Sequence, residues 1–186
     1  RLPFYSIQDI YNFLAALACT KNLGFNIEEV IKLFEDFELP TGHGKLHKIG
    51  NIYFMDESYE ATPASLSKAA RALIGFQPYS DNIHLIVGDM TSAGVNIEEQ
   101  HLNMGYFLAA LPINNIITVG NYAEFIARGA SLIKSHTKNI YSVNTIDDVL
   151  NLLDRNLQEK AVLGIKGIGS VAAHRILRYL EKKYQV

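Results

Sequence analysis

Four short polar or glycine-rich segments carry side chains that could bind a ligand, and each directly follows an apolar run. Residues 56–63 read DESYEATP, with three carboxylates in the first five positions; residues 88–90 read GDM, 120–121 read GN and 166–170 read KGIGS. Carboxylates accept hydrogen bonds from ribose hydroxyls or a substrate ammonium, whereas a lysine and the free N–H groups of a helix start attract anions. These residue types indicate a ligand-binding site, and we assign no catalytic residue to it.

Predicted strands and helices alternate around these segments. Apolar runs typical of strands lie at residues 45–49, 52–55, 84–87, 115–119, 139–143 and 161–165. Apolar residues recur at helical spacing in residues 64–74, 100–111, 122–134, 146–156 and 170–183. This alternation predicts an α/β fold with a Rossmann-like, mainly parallel sheet and crossover helices. A turn at residues 50–51 would add an antiparallel edge strand, and the four segments should meet beyond the carboxyl ends of the parallel strands.

The first forty residues have a different pattern. Two amphipathic helices are predicted there, over residues 7–23, with Ser6 as the cap, and over residues 27–37. A proline and two glycines then interrupt the pattern between residues 40 and 44. We therefore predict a short helical segment over residues 1–40 and an α/β domain over residues 41–186. The helical pair should leave an apolar face exposed unless another surface covers it.

Composition narrows the classes of function. Hydrophobic residues make up 48% of the chain and charged residues 19%, which suits a buried core, and the formal net charge is -2. That charge provides no general basic field for nucleic acid or an anionic membrane. There is no apolar run of the roughly 18 residues that a spanning helix needs, and no signal-peptide pattern. The single cysteine allows no intrachain disulfide, and no third ligand accompanies His43 and His47 at metal-binding spacing. We expect a cytoplasmic protein with neither a membrane partner nor a metal site of its own.

The order of the segments resembles the Mur ligase family, specifically its D-alanyl-D-alanine-adding members. Residues 56–65 are similar to the family stretch D-[DE]-S-Y-N-A-N-P-x-S, residues 88–101 to G-D-M-x-E-L-G…E…H, and residues 163–167 to V-L-V-K-G. The glycines at 42 and 44 stand where the family has G-R-G, and residues 12–16 resemble the N-x-L-A-A helix that closes the central ATPase domain. No single motif is decisive, and the resemblance rests on their collinearity over nearly the whole chain.

The resemblance implies a ligase that uses ATP and Mg²⁺ to phosphorylate a substrate carboxylate. The amine of D-alanyl-D-alanine then attacks the acyl phosphate, and the acceptor is the UDP-N-acetylmuramoyl tripeptide. This chain would be the carboxy-terminal domain, which closes over ATP and positions the dipeptide, preceded by a helical remnant of the central domain. Because it contains no G-x-x-x-x-G-K-[ST] phosphate loop, it should need the amino-terminal and central domains as partners and be inactive alone.

The resemblance also implies site residues. The expected nucleotide-binding residues are Asn12, His43, Asp56 and Glu57. The expected substrate-binding residues are Tyr59, Glu60, Thr62, Ser65, Lys166 and Gly167. We expect Glu57 to lie on an exposed loop, so that its replacement by alanine would weaken ATP use and leave the fold intact.

Several expected ligand contacts depart from the family pattern. His43 replaces an arginine, Glu60 and Thr62 replace two asparagines, Gln8-Asp9 replaces a His-Asn pair, and the loop after Lys166 is shortened. A neutral histidine cannot make the bidentate phosphate contact of an arginine. The chain could thus be a divergent ligase, or a degraded ligase domain kept for a protein contact.

Other interpretations stay open. Residues 164–177 also resemble a helix-hairpin-helix element, whose turn binds a DNA phosphate, and residues 160–186 carry six basic side chains against one acidic one. Locally, Thr62 could simply cap the next helix, Asp89 could bind only backbone N–H groups, and His101 could be a packing residue. Since the ligase resemblance spans the chain, we do not expect nucleic acid as a partner.

Overall fold

The computed structural model describes residues 4–34, 36–92, 94–134, 137 and 139–184. The chain begins with two helices, α1 (Ile7–Asn22) and α2 (Ile27–Leu33). As predicted, the side chain of Ser6 caps α1 by accepting a hydrogen bond from the backbone N–H of Asp9. The second helix is shorter than expected, because the chain turns after Leu33 and places Phe34 and Phe37 in an aromatic cluster with Phe13.

The remaining elements form one six-stranded sheet with crossover helices, which confirms the predicted fold class. In chain order they are β1 (Lys45–Ile49), β2 (Ile52–Glu57), α3 (Pro63–Ile74), β3 (Ile83–Gly88), α4 (Ile97–Ala109), β4 (Asn115–Val119), α5 (Ala123–Ser131), β5 (Asn139–Val143), α6 (Ile146–Asn156), β6 (Ala161–Lys166) and α7 (Ser170–Tyr184). The strand order is β1-β2-β6-β3-β4-β5; β1 pairs with β2 in antiparallel orientation, and the other neighbours pair in parallel.

Two hydrophobic cores cover the two faces of the sheet. Successive strand residues point to opposite faces, so Leu85 packs in one core and Ile86 in the other. The first core contains buried residues of α3, α4 and α5, and the second contains those of α6 and α7. The helices that follow the neighbouring strands β3 and β6 therefore lie on opposite faces. This arrangement opens a crevice at the carboxyl ends of those strands, which is where ligands bind in open α/β sheets.

The two amino-terminal helices expose the apolar face that the sequence predicted. Its exposed side chains are Ile7, Ile10, Tyr11, Leu14, Leu23, Phe25, Ile31 and Leu33. The amino-terminal segment contacts the α/β layers through the rings of Tyr5 and Phe76, which lie 5.8 Å apart, and through an ion pair of Asp9 with Lys68. None of the helices in the described residues is long and apolar enough to cross a membrane.

The opposite, amino-terminal edge of the sheet contains a fully buried histidine. His84 Nε2 lies 2.7 Å from Oδ1 of Asn82. Because that amide oxygen can only accept, Nε2 carries the hydrogen of the neutral ring. Burial disfavours the charged imidazolium and lowers the pKa of His84 from 6.5 to about 4.

The buried imidazole makes stability depend on pH. An unfolded chain protonates this histidine below pH 6.5, whereas the folded chain resists protonation until about pH 4. The free energy of unfolding should therefore fall by roughly 3 kcal/mol as the pH drops through that window, with no further loss from this group below it. Urea unfolding from pH 7 to pH 4 measures the effect, and His84→Gln should flatten the slope. Equal slopes in both proteins would contradict the assignment.

Candidate functional site

The carboxyl ends of the parallel strands surround a cleft of about 340 Å³. It is lined by Tyr59, Glu60, Ala61, Asp89, Thr91, Val119, Asn144, Ile146, Gly167 and Ile168. The four segments singled out in the sequence do gather at this edge, because each follows a strand of the same sheet. Among the described lining residues two are acidic and none is basic, so the side-chain charge favours a cationic group such as an ammonium.

Asp56 organises the loops on one side of the cleft. It is 4% exposed, and its two carboxylate oxygens accept hydrogen bonds from the backbone N–H groups of Ser58, at 3.0 Å, and Gly42, at 3.2 Å. Its backbone carbonyl also accepts from the N–H of Gly44 at 2.7 Å. Gly42 and Gly44 both adopt positive φ, which favours glycine. Asp56 thus fixes the glycine turn that presents His43.

Glu57 is not on an exposed loop, and that expectation was wrong. It is the last residue of β2 and is 6% exposed. Its Oε2 lies 3.3 Å from Nζ of Lys166, and its Oε1 lies 3.5 Å from Nζ of Lys68. The strand continues beyond the apolar run because β2 pairs with β6 in a register that places Glu57 beside Lys166. Each buried charge then has a partner, which offsets its loss of hydration.

Lys166 was expected to meet a ligand, but here it neutralises Glu57. Its side chain is 5% exposed, so its ammonium is not open to solvent. Gly167 follows with φ +67, and a Cβ on it would lie 2.5 Å from the Cβ of Ala61. The loop after β6 is therefore packed tightly against the loop after β2, and it contributes Gly167 and Ile168 to the cleft wall.

The loop between β2 and α3 divides into capping residues and cleft residues. The Thr62 side chain accepts from the Ser65 N–H, and the Ser65 side chain accepts from the Thr62 N–H, a reciprocal cap at the start of α3. Tyr59 is 69% exposed, and its ring lies 4.6 Å from that of His43. Glu60 accepts a hydrogen bond of 2.6 Å from the hydroxyl of Ser92 across the cleft. Tyr59 and Glu60 are thus the side chains of this loop that are placed to meet a ligand.

Asp89, in the GDM segment, and His101, on the helix that follows it, both hydrogen-bond to the backbone. This agrees with the structural roles that the sequence left open for them. Asp89 accepts a 2.6 Å hydrogen bond from the N–H of Ala123, the first residue of α5. His101 is fully buried; its Nε2 accepts from the N–H of Met90 at 2.8 Å, and its Nδ1 donates to the carbonyl of Ile97 at 2.6 Å. These partners require the neutral ring with its hydrogen on Nδ1. Met90 and Asp89, at the start of the loop after β3, are therefore held to α4 and α5 by hydrogen bonds.

Asn12 lies apart from the cleft. It is exposed on α1 and borders a separate pocket of about 310 Å³, which is otherwise largely aromatic and aliphatic. The pocket is lined by Phe4, Asp9, Asn12, Phe13, Ala16, Phe34, Phe37 and Leu39. Asp9 connects this pocket to the sheet edge through its 2.9 Å ion pair with Lys68, which also contacts Glu57.

Sequence reasoning missed Lys68, Ser92 and Asn144. Lys68 lies on the first turns of α3 within an alanine-rich stretch, and nothing in its spacing indicated a partner 59 residues earlier in the chain. Asn144 directly follows β5 and Ser92 lies four residues after β3, so the rule that located the other loops could have included them. Among the described residues no three histidine, cysteine or acidic side chains form a metal-binding group.

The helix-hairpin-helix interpretation does not fit the structure. Such an element needs a helix on each side of its turn, but β6 before the turn is a fully buried strand between β2 and β3. Part of the basic charge is also paired, Arg175 with Asp147 and Lys183 with Asp154. The turn at residues 167–169 therefore joins a strand to a helix.

Comparison with curated proteins finds similarity to ligases that act on a UDP-N-acetylmuramoyl tripeptide. It is 25% identical over 180 residues to the UDP-N-acetylmuramoyl-tripeptide–D-alanyl-D-alanine ligase of Rickettsia prowazekii (strain Madrid E), covering 97% of this chain and 39% of that protein. It is 26% identical over 182 residues to the ligase of the same name from Escherichia coli (strain K12), covering 97% and 38%. The chain thus spans less than two fifths of the length of these relatives. No family model matches it.

Solved structures agree in fold. MurF from Acinetobacter baumannii superposes with a TM-score of 0.79 at 25% identity, over 97% of this chain and 39% of that one. MurF ligase from Thermotoga maritima, solved in complex with ADP, has a TM-score of 0.74 at 18% identity, over 96% and 39%. In sequence and in fold, the chain therefore resembles the carboxy-terminal part of the UDP-N-acetylmuramoyl-tripeptide–D-alanyl-D-alanine ligases of the Mur ligase family.

Proposed function

We propose that the chain is the carboxy-terminal domain of an ATP-dependent ligase that adds D-alanyl-D-alanine to the UDP-N-acetylmuramoyl tripeptide. The observation that carries this proposal is the Glu57 carboxylate, held by two lysines at the crevice edge of the sheet. The family resemblance assigns this position to the nucleotide ribose. A carboxylate has more acceptor sites than its two ion pairs use, so hydroxyl groups could still donate to it.

The nucleotide would extend from the phenylalanine-lined pocket toward the edge of the cleft. The base would enter the phenylalanine-lined pocket beside Asn12, whose amide can both donate and accept hydrogen bonds. The ribose would then lie toward Glu57, and His43, exposed beside Tyr59, would face the phosphates. Mg²⁺ and most phosphate contacts would come from the central ATPase domain, because this chain has no phosphate loop of its own.

The cleft would hold the incoming dipeptide. Glu60 contributes a carboxylate to a cleft whose described lining includes no basic side chain, and it can accept hydrogen bonds from the D-alanyl-D-alanine ammonium. Before attack on the acyl phosphate that ammonium must lose a proton to become the nucleophilic amine. Tyr59 and the backbone around Gly167 would set the position of the dipeptide.

The exposed apolar face of α1 and α2 supports the domain assignment. Its residues include Ile10, Tyr11 and Leu14, and burial of such side chains against another domain is favourable. We propose that residues 1–40 complete the central domain, that residues 41–186 form the carboxy-terminal domain, and that the protein acts in the cytoplasm. The replacements at His43, Glu60 and Thr62 favour a second candidate, a degraded ligase domain that keeps only a protein contact.

Phosphate release by the full-length gene product, with ATP, D-alanyl-D-alanine and the UDP-N-acetylmuramoyl tripeptide, separates these candidates. Glu60→Gln should raise the KM for the dipeptide about tenfold and leave the KM for ATP unchanged, because a charge-assisted hydrogen bond contributes about 1.5–3 kcal/mol. Ser92→Ala is the matched control: it removes the partner of Glu60 but keeps the carboxylate. Phosphate release that does not depend on the dipeptide, or none at all, would support the degraded domain.

Stability separates the binding role of Glu57 from its structural role. Glu57→Ala would leave the Lys166 ammonium buried without its carboxylate, so the free energy of unfolding should fall by about 3 kcal/mol. The double variant Glu57→Ala/Lys166→Met should recover most of that loss, whereas Thr62→Ala, which removes a helix cap, should cost only about 1 kcal/mol. Urea unfolding measures all three, and a fully stable Glu57→Ala protein would refute the buried pair.

A further inference from the structure

Four charged side chains form a continuous relay from the amino-terminal helices to the centre of the sheet. Asp9 Oδ1 of α1 lies 2.9 Å from Nζ of Lys68 on α3, and the same ammonium lies 3.5 Å from Oε1 of Glu57 at the end of β2. Oε2 of Glu57 lies 3.3 Å from Nζ of Lys166 on β6. The Asp9 side chain is 14% exposed, and from Lys68 inward the exposed fraction falls from 25% to 8% at Glu57 and 5% at Lys166. The relay therefore joins elements that are distant in sequence.

Lys68 is the shared member of this relay. Burial acts to lower the pKa of its ammonium, but the hydrogen bond that it donates to Asp9 and the charge of Glu57 outweigh burial and raise the pKa above 10.5. Lys68 thus stays charged at neutral pH, and its ammonium is divided between two carboxylates. The shorter distance is to Asp9, so Asp9 draws Lys68 away from Glu57.

We propose that Lys68 is a positioning residue that sets how available the Glu57 carboxylate is to nucleotide hydroxyls, and that Asp9 in turn sets the position of Lys68. This inference rests on the proposed function, since it takes Glu57 as the ribose contact. Hydroxyl groups approaching Oε1 compete with the Lys68 ammonium, whereas Lys166 holds the other oxygen and keeps the site neutral. Asp9 and Asn12 lie one helical turn apart and line the same pocket, so occupation of that pocket and of Glu57 are linked through Lys68.

Replacing Asp9 and replacing Lys68 should have opposite effects on ADP binding to the full-length gene product, measured by calorimetry. Lys68→Met keeps the length of the side chain and frees Oε1, so ADP should bind about threefold to tenfold more tightly. Asp9→Asn leaves the whole Lys68 charge on Glu57, so ADP should bind more weakly by about the same factor. In the Asp9→Asn/Lys68→Met double variant ADP should bind as in Lys68→Met, because Asp9 acts through Lys68.

The control is Lys45→Met, which breaks the exposed ion pair of Lys45 with Glu38 near the same helices and should leave ADP affinity unchanged. Shifts of the same sign for Asp9→Asn and Lys68→Met, or an additive double variant, would overturn the positioning role. If no form binds ADP, the proposed function and the ligand role of the relay both fall. Thermal unfolding without nucleotide would then be compared for the unmodified protein, Asp9→Asn, Lys68→Met and the double variant. Non-additive changes in stability would show that the Asp9–Lys68 ion pair stabilises the fold and has no role in ligand binding.

Discussion

The ion pair of Glu57 with Lys166 constrains how this chain folds. A carboxylate and an ammonium that are both less than a tenth exposed lose most of their hydration, and each is tolerated only while the other is close. The two residues are 109 positions apart, and they meet because β6, the last strand of the chain, inserts between β2 and β3. The edge of the sheet that borders the cleft is therefore complete only when β6 has paired with β2 and β3.

Most polar groups around that edge are used to fix the backbone. Asp56 holds the glycine turn, Asp89 holds the start of α5, and His101 holds the loop after β3. Once these groups have internal partners, few side chains remain to meet a ligand, chiefly Tyr59 and Glu60 in the cleft. Rigid loops that present a few free groups give a binding site a defined geometry, because ligand binding then orders little of the protein.

The amino-terminal helices reach the site through Lys68. Tyr5 packs on Phe76, and Asp9 reaches Lys68, so a shift of α1 would change the charge that surrounds Glu57. Their other face presents apolar side chains to solvent. The helices thus form an ion pair with the α/β layers on one side and expose an apolar surface on the other. Such an arrangement suits a segment placed between two domains.

Local patterns determined the elements themselves. Several elements were predicted to the residue or nearly so: the β1–β2 hairpin, the strands at Asn115–Val119 and Asn139–Val143, and the helix at Ile146–Asn156. The hydrophobic periods of strands, two residues, and of helices, 3.6 residues, can be recognised over a few positions. The order of the motifs likewise indicated the family that the chain resembles, and parallel strands indicated the edge where the loops gather.

Tertiary structure decided which charges meet. Nothing local shows that Glu57 is buried, that Lys166 faces it rather than a ligand, or that Lys68 joins it to Asp9. Those pairings depend on strand order and on the register of β2 against β6, which bring together residues far apart in the chain. The sequence by itself determined the strands, the helices and the edge where a ligand would bind. Only packing across the sheet decided which polar groups stabilise the fold and which remain free. The reason is that a side chain's burial and partners depend on elements that its neighbours in sequence do not specify.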